Sequence, residues 1–161
     1  MFNPQLVLHE KEYEAIKLIC DRLYKESNSK IVFIVDKNGQ LIAVSGDVSR
    51  MDTTSLASLT AGNVAATGGL AKLLGEKEFS VLFHEGDNDS VHISLIGTRM
   101  ILVVIFDKRT NQGLVRLKVK KSTEELNKIF DAIFSKTEKE KDSQGAIDIT
   151  EGDIDKLFGD F

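Results

Sequence analysis

From Met100 to Phe106 every residue of the run RMILVVIFD is apolar, with no polar position to alternate with. A strand of that composition is buried on both faces, so it belongs in the middle of a sheet with helices against it. The rest of the chain is organised to supply that surrounding.

Between Glu10 and Tyr24, the residues Tyr13, Ile16, Leu18, Ile19, Cys20 and Leu23 recur at helical spacing among charged neighbours, an amphipathic helix whose stripe needs a sheet to cover. KIVFIVD and QLIAVSG follow, joined by Lys37, Asn38 and Gly39; Asn-Gly between two β-rich runs is a strong hairpin signal. EFSVLFHEG and SVHISLIG read as two further strands separated by Gly86 to Asp89, and Gly97-Thr98 leads into the apolar run. LVRLKVKKSTEELNKIFDAIF is ambiguous in its first half, where alternation competes with helical spacing. Its second half is helical, with Ser122 and Glu125 spaced as a capping box. The resulting order, α-β-β-α-β-β-β-α, predicts an α+β fold with a five-stranded antiparallel sheet.

A chain of 161 residues suits one domain plus an appendage. The domain is expected over 1–135, a polar flexible linker over 136–146, and a C-terminal amphipathic helix over 147–161. In that tail Ile154, Leu157, Phe158 and Phe161 share one side, which suits either a segment folded back on its domain or a partner-binding motif. The charge balance of 21 basic against 25 acidic residues, net −4, argues against nucleic acid and anionic membranes as partners. One cysteine, Cys20, and an N-terminal stretch without the order of a secretory signal lead to the expectation of a cytoplasmic protein.

The search for catalytic chemistry is negative. Gly62, Gly68 and Gly69 fit neither GxxxxGK[ST] nor GxGxxG, so this chain is not expected to bind a nucleotide itself. His9, His84 and His92 are scattered and lack zinc spacing, EGDNDS lacks the further ligands of a calcium loop, and no serine lies in a GxSxG elbow. No catalytic residue, cofactor or metal is expected. Arg116, Lys118, Lys120 and Lys121 form either an anion patch or a solvated helix face.

The segment TTSLASLTAGNVAATGGLAKLLG carries no charge before Lys72. Asp52 is a good N-cap and Gly75 a good C-cap, and Leu56, Leu59, Leu70, Leu73 and Leu74 recur at helical intervals as the core-facing stripe. Each internal glycine costs about 1 kcal/mol relative to alanine, which something must offset. Small uncharged side chains permit close approach and are cheap to desolvate. Ala61, Val64, Ala65, Gly68 and Gly69 are therefore read as a protein-binding surface, the alternative being a helix packed by its small side on its own sheet. A membrane span is not expected, because hydroxyls, Asn63 and the glycines make the segment too weakly apolar.

The hairpin IVFIVDKNGQLIAVSG, the helix SLASLTAGNVAATGGLAKLLGE, the strand end FHEG and the run ILVVIFDKRTNQGLVRLKVKK together resemble the Roadblock / dynein light chain family. The resemblance spans about Gln5 to Phe134. It is specific, through LTAGNVAATGGLAKLLGE, to a bacterial branch whose C-terminus the tail IDITEGDIDKLF also resembles. It implies a homodimer with its second helices side by side over a continuous sheet, and an MglA-type Ras-like GTPase docked on that platform, one per dimer. The implied activity is stimulation of the partner's GTP hydrolysis, with GTP and Mg bound by the partner, and nucleotide exchange assisted by the tail. Polarity and motility, with concentration at a cell pole, are the implied setting. By position, Thr60, Asn63, Val64, Ala65, Thr67 and Gly68 would face the switch regions, with Gly69 and Lys72 at the margin. Ile149, Ile154, Leu157 and Phe158 would be tail contacts. The family is taken to reposition the GTPase's own residues rather than insert an arginine, although Arg50, Arg99 and Arg109 remain available. A Roadblock scaffold that dimerises without altering nucleotide turnover is the alternative.

Overall fold

A computed structural model describes residues 9–148, with side chains described to Lys136. The elements are α1 Glu10–Glu26, β1 Ile31–Asp36, β2 Leu41–Gly46, α2 Thr53–Leu73, β3 Val81–Glu85, β4 Ser90–Ile96, β5 Met100–Phe106 and α3 Gln112–Asp148, the order expected from the sequence. The strands form one sheet in the order β2-β1-β5-β4-β3. Each neighbouring pair is antiparallel, with Phe33 opposite both Val44 and Val103. The apolar run takes the central position its composition demands, and every residue of β5 is buried.

Two compact units divide within α3, after Asn127. In the first, side chains alternate across the sheet. Ile31, Phe33, Val35, Ile101, Val103, Ile105 and Ile93 form a core with Ala57 and Val64 of α2. The alternate positions Val32, Ile34, Leu102 and Val104 are equally buried and face the opposite side. There α1 lies, its Asp21 accepting a 2.5 Å hydrogen bond from the Ser45 hydroxyl, and Lys17 Nζ donating to the Val44 carbonyl at 2.5 Å. Ile16, Ile19, Cys20 and Leu23 are the buried stripe of α1. The first half of α3, ambiguous from its alternation, is helical: Asn111 Oδ1 accepts from the Leu114 amide at 2.9 Å as N-cap, and Val115, Val119, Ser122 and Leu126 are buried. An ion pair between Arg22 and Glu125 joins α1 to this half of α3.

In the second unit α3 continues to Asp148, with the Phe130 and Phe134 rings stacked at 6.2 Å between centroids. Helix therefore occupies residues 136–146, expected as a flexible linker. The composition that marks the segment as solvated is also rich in glutamate and lysine, which are strong helix formers and outnumber the weaker Thr137, Asp142, Ser143 and Gly145. The tail residues Ile149, Ile154, Leu157 and Phe158 lie outside the described residues.

Candidate functional site: the exposed face of α2

Local sequence fixes both ends of α2. Asp52 Oδ1 accepts from the Ser55 amide at 3.1 Å, and Oδ2 accepts from the Ser55 hydroxyl at 2.6 Å. Those hydrogen bonds hold the Asp52 carboxyl below its ordinary range, the Ser55 hydroxyl contributing most. At the other end the Glu76 amide donates to Ala71 O and the Gly75 amide to Lys72 O, a Schellman pair that puts Gly75 at φ +78.

Between these caps the leucine stripe expected in the core is exposed, and Ala61 and Val64, expected on the outer surface, are buried, while Ala65 and Gly69 are exposed as expected. Ala57, Thr60, Ala61, Val64 and Ala71 are the buried residues of α2. Leu59, Leu70, Leu73 and Leu74, expected in the core, are 74, 52, 86 and 63 % exposed, and Leu56 is half-buried. At about 100° per residue, positions 59, 66, 70 and 73 fall on one side of a helix and 57, 64 and 71 on the other, so the sequence carries two stripes of the same period. The branched and aromatic side chains of β1 and β5 already fill the space above the sheet, so the small stripe is the one that fits against them. The leucines are left outside.

The glycines follow the same logic. A Cβ added at Gly62, Gly68 or Gly69 would meet nothing within 4 Å, so packing inside the chain does not require any of them. Leu59, Gly62, Ala65, Ala66, Gly69, Leu70 and Leu73 thus make an exposed face without charge, bordered by Lys72. That is the composition of a surface that is cheap to desolvate against another protein.

The expected partner-binding residues divide around the helix. Ala65, Gly69 and Lys72 are exposed and Gly68 is half-buried; with Val64, Ala61, Lys37, Lys77 and Glu78 they line a groove along one flank, closed by a 2.8 Å ion pair between Lys37 and Glu78. Thr60 and Val64 are turned under the helix at 8 and 6 % exposure, which leaves little of either for a partner. Asn63 lies on the other flank, where Leu56, Leu59, Thr60 and His84 border a cleft floored by Val91 and Ile93. Asn63 Nδ2 and His84 Nε2 are 3.2 Å apart there. Half-buried Thr67 donates its hydroxyl to the Asn63 carbonyl at 2.8 Å.

Two features beside α2 escaped the sequence reading. One is His84, whose contact with Asn63 depends on where the edge strand β3 comes to rest beside α2. The other is one of the two edges of the sheet: β3 is an outermost strand, paired only with β4 among the described residues, and Val81 is 47 % exposed. On the face beneath α2, Leu82, Val91 and Leu95 of β3 and β4 are only partly buried, because α2 packs over β1 and β2. Of the arginines, Arg50 is exposed just before α2, Arg109 donates from Nε to Asp107 Oδ1 at 3.0 Å, and the Arg99 carbonyl accepts from the Lys37 amide at 3.0 Å. No helix among the described residues is long and apolar enough to cross a membrane.

Residues 15–106 match the Roadblock/LC7 domain family. Among solved structures, the chain is similar to Myxococcus xanthus MglB at 59% identity, covering 79% of this chain and 96% of that one with a TM-score of 0.76. It is also similar to an MglB with a tetrameric arrangement, at 30% identity, 82% and 99% coverage and a TM-score of 0.76. The gliding protein MglB of Thermus thermophilus is similar at 31% identity, 80% and 97% coverage and a TM-score of 0.74. A comparison with curated protein sequences found no match.

Proposed function

The chain belongs to the Roadblock/LC7 domain family, and from that premise we propose that it acts as a homodimeric, non-catalytic regulator of an MglA-type Ras-like GTPase. The observation that carries this reading is the uncharged exposed face of α2, with its row of leucines beside an unpaired sheet edge. A second copy would pair with β3 and lay its own α2 over the partly covered side chains of Leu82, Val91 and Leu95. The two α2 helices then form a platform on which the GTPase docks through Ala65, Gly68, Gly69 and Lys72.

The activity proposed is acceleration of the partner's GTP hydrolysis. The nucleotide and its Mg belong to the partner. Since α2 carries no arginine, stabilisation of the transferring phosphoryl group falls to the GTPase's own residues, repositioned by the platform. Residues 1–135 serve as the Roadblock domain, and the tail with Ile149, Ile154, Leu157 and Phe158 grips the GTPase away from its nucleotide and assists exchange. Cytoplasmic action in cell polarity and gliding motility, concentrated at a pole, is the setting this reading implies.

Single-turnover and steady-state GTP hydrolysis by the cognate GTPase tests it, with and without this protein and with a chain ending at Asp148. Faster single-turnover hydrolysis supports activation, and a steady-state deficit confined to the shortened chain supports exchange through the tail. Binding without any change in turnover would replace the regulator with a dimeric scaffold.

A further inference from the structure

On the side of the sheet opposite α2, the alternate positions of β4 break the apolar pattern. Across the neighbouring strand this face presents Met100, Leu102, Val104 and Phe106, whereas β4 keeps an apolar side chain only at Ile96, opposite Met100, and presents Ser90, His92 and Ser94 to the other three. His92 and Ser94 are buried at 2 and 4 % exposure. Their side chains are 3.0 Å apart, Nε2 to Oγ, which accounts for one ring nitrogen. The other, His92 Nδ1, has no hydrogen-bond partner among the described residues, and neither has the buried Thr123 Oγ1 on the helix opposite. An unpaired buried polar atom costs about 1–3 kcal/mol, so two in one place call for an explanation.

Both lie on the wall of a single cleft between β3, β4 and the first half of α3, which Ser94, Arg116, Lys120 and Glu124 also line. The period of two brings His92 and Ser94 to the same face of β4, and the helical period brings Arg116, Lys120 and Thr123 to the facing side of α3. The two cations are exposed at the mouth and form no ion pair among the described residues, although Glu124 shares the wall. In the tautomer where the Ser94 hydroxyl donates to Nε2, Nδ1 carries the ring proton, and it and the Thr123 hydroxyl are two unspent donors on residues that line the cleft.

We propose that this cleft binds a small oxyanion, phosphate- or carboxylate-bearing, between the buried donors of His92 and Thr123 and the cations of Arg116 and Lys120. Burial, and then the Arg116 charge, lower the His92 pKa, so the imidazole is neutral at physiological pH and acts as a donor rather than as a charge. The anion's charge is met by Arg116 and Lys120.

The test is a titration of the full chain, labelled on its histidine rings and followed by NMR, with inorganic phosphate, with acetate, and with chloride at matched ionic strength. Saturable movement of the His92 resonances with phosphate, absent in chloride, is expected, with a rise in the His92 titration midpoint as the anion binds. Arg116→Gln, an exposed position that the fold does not need, should raise the dissociation constant about tenfold, and Thr123→Val should do likewise. Saturation with acetate alone would support the site and assign it to a carboxylate. Equal, non-saturating shifts in all three salts would overturn it and leave the unpaired atoms to water.

Discussion

Gly39 of the β1–β2 turn lies beneath Ser58 of α2, close enough that a Cβ on residue 39 would stand 3.3 Å from the Ser58 Cα, and its φ of +91 is one that side chains disfavour. Asp36 Oδ1 accepts from the Asn38 and Gln40 amides, each at 2.9 Å, and holds the turn in that shape. Gly39→Ala therefore loses about 1–2 kcal/mol to backbone strain and more to the displaced helix. A fall in Tm of about 2–8 °C is expected by calorimetry for a chain of this size. An unchanged Tm would mean that α2 yields without cost at this crossing.

Much of this fold was legible because each element satisfied two requirements together. The run around Val103 had to be central because it offered no polar face, and Asn38-Gly39 had to turn because the flanking residues wanted strands. Helix α2 failed the same test, since its leucines and its small residues recur with one period and periodicity does not say which stripe is inward. Side-chain size decided against expectation: Ala57 and Val64 pack in one core with side chains as large as Phe33, while Leu59 and Leu73 stay exposed. The groove formed with Lys37 and Glu78, and the contact between Asn63 and His84, were illegible for another reason. Both depend on where a turn or an edge strand comes to rest beside a distant helix.

The two stripes of α2 should separate association from folding. Leu70→Glu places a charge on the exposed face and is expected to weaken self-association at least about 100-fold, or roughly 2.7 kcal/mol, with the monomer's Tm little changed. Val64→Glu places the same charge in the core and should cost on the order of 4 kcal/mol of stability or more. Sedimentation velocity across a concentration series, beside thermal unfolding, reads both. If Leu70→Glu remains as associated as the parent chain, the leucine face is not the contact between copies.

GTPase docking should depend on the exposed members of the groove. Ala65→Arg or Gly69→Arg adds a long charged side chain where the helix is open, and a Cβ at Gly69 meets nothing within 4 Å. The fold should survive with its Tm within about 2 °C, while GTPase binding, measured by calorimetric titration, falls at least about 30-fold. Unchanged affinity in the folded variants would move the docking surface elsewhere.

Activation without an inserted arginine has its own signature. Arg50→Ala, Arg99→Ala and Arg109→Ala, tested singly, should each leave stimulated single-turnover hydrolysis within about threefold of the parent, against a loss of about 10³ or more when a transition-state arginine is removed. Arg109 already has a local use, its Nε and backbone amide both donating to Asp107 at 3.0 Å. A collapse of that size in any one variant, with binding intact, would identify an arginine acting in trans.

Alkaline stability should carry the mark of Cys20. Its side chain is fully buried in α1, and burial pushes the thiol from its ordinary 9.0 up to about 12, with Asp21 adding to the rise and Lys17 opposing it. Below pH 9 the thiol is neutral in both folded and unfolded chains and folding does not depend on it. Between pH 9 and about 12 the unfolded chain releases a proton that the folded chain keeps, so stability falls by up to about 1.4 kcal/mol per pH unit across that window. Chemical denaturation from pH 8 to 11 should show this slope in the parent chain and lose it in Cys20→Ala, with lysine and tyrosine titration common to both. The same burial leaves a thiolate fraction of only ~10⁻⁴ at pH 8, so alkylation of the folded protein should proceed through opening of α1 and accelerate with denaturant. Rapid labelling in native buffer, or identical alkaline slopes in the two chains, would place Cys20 in contact with solvent and remove the basis for both expectations.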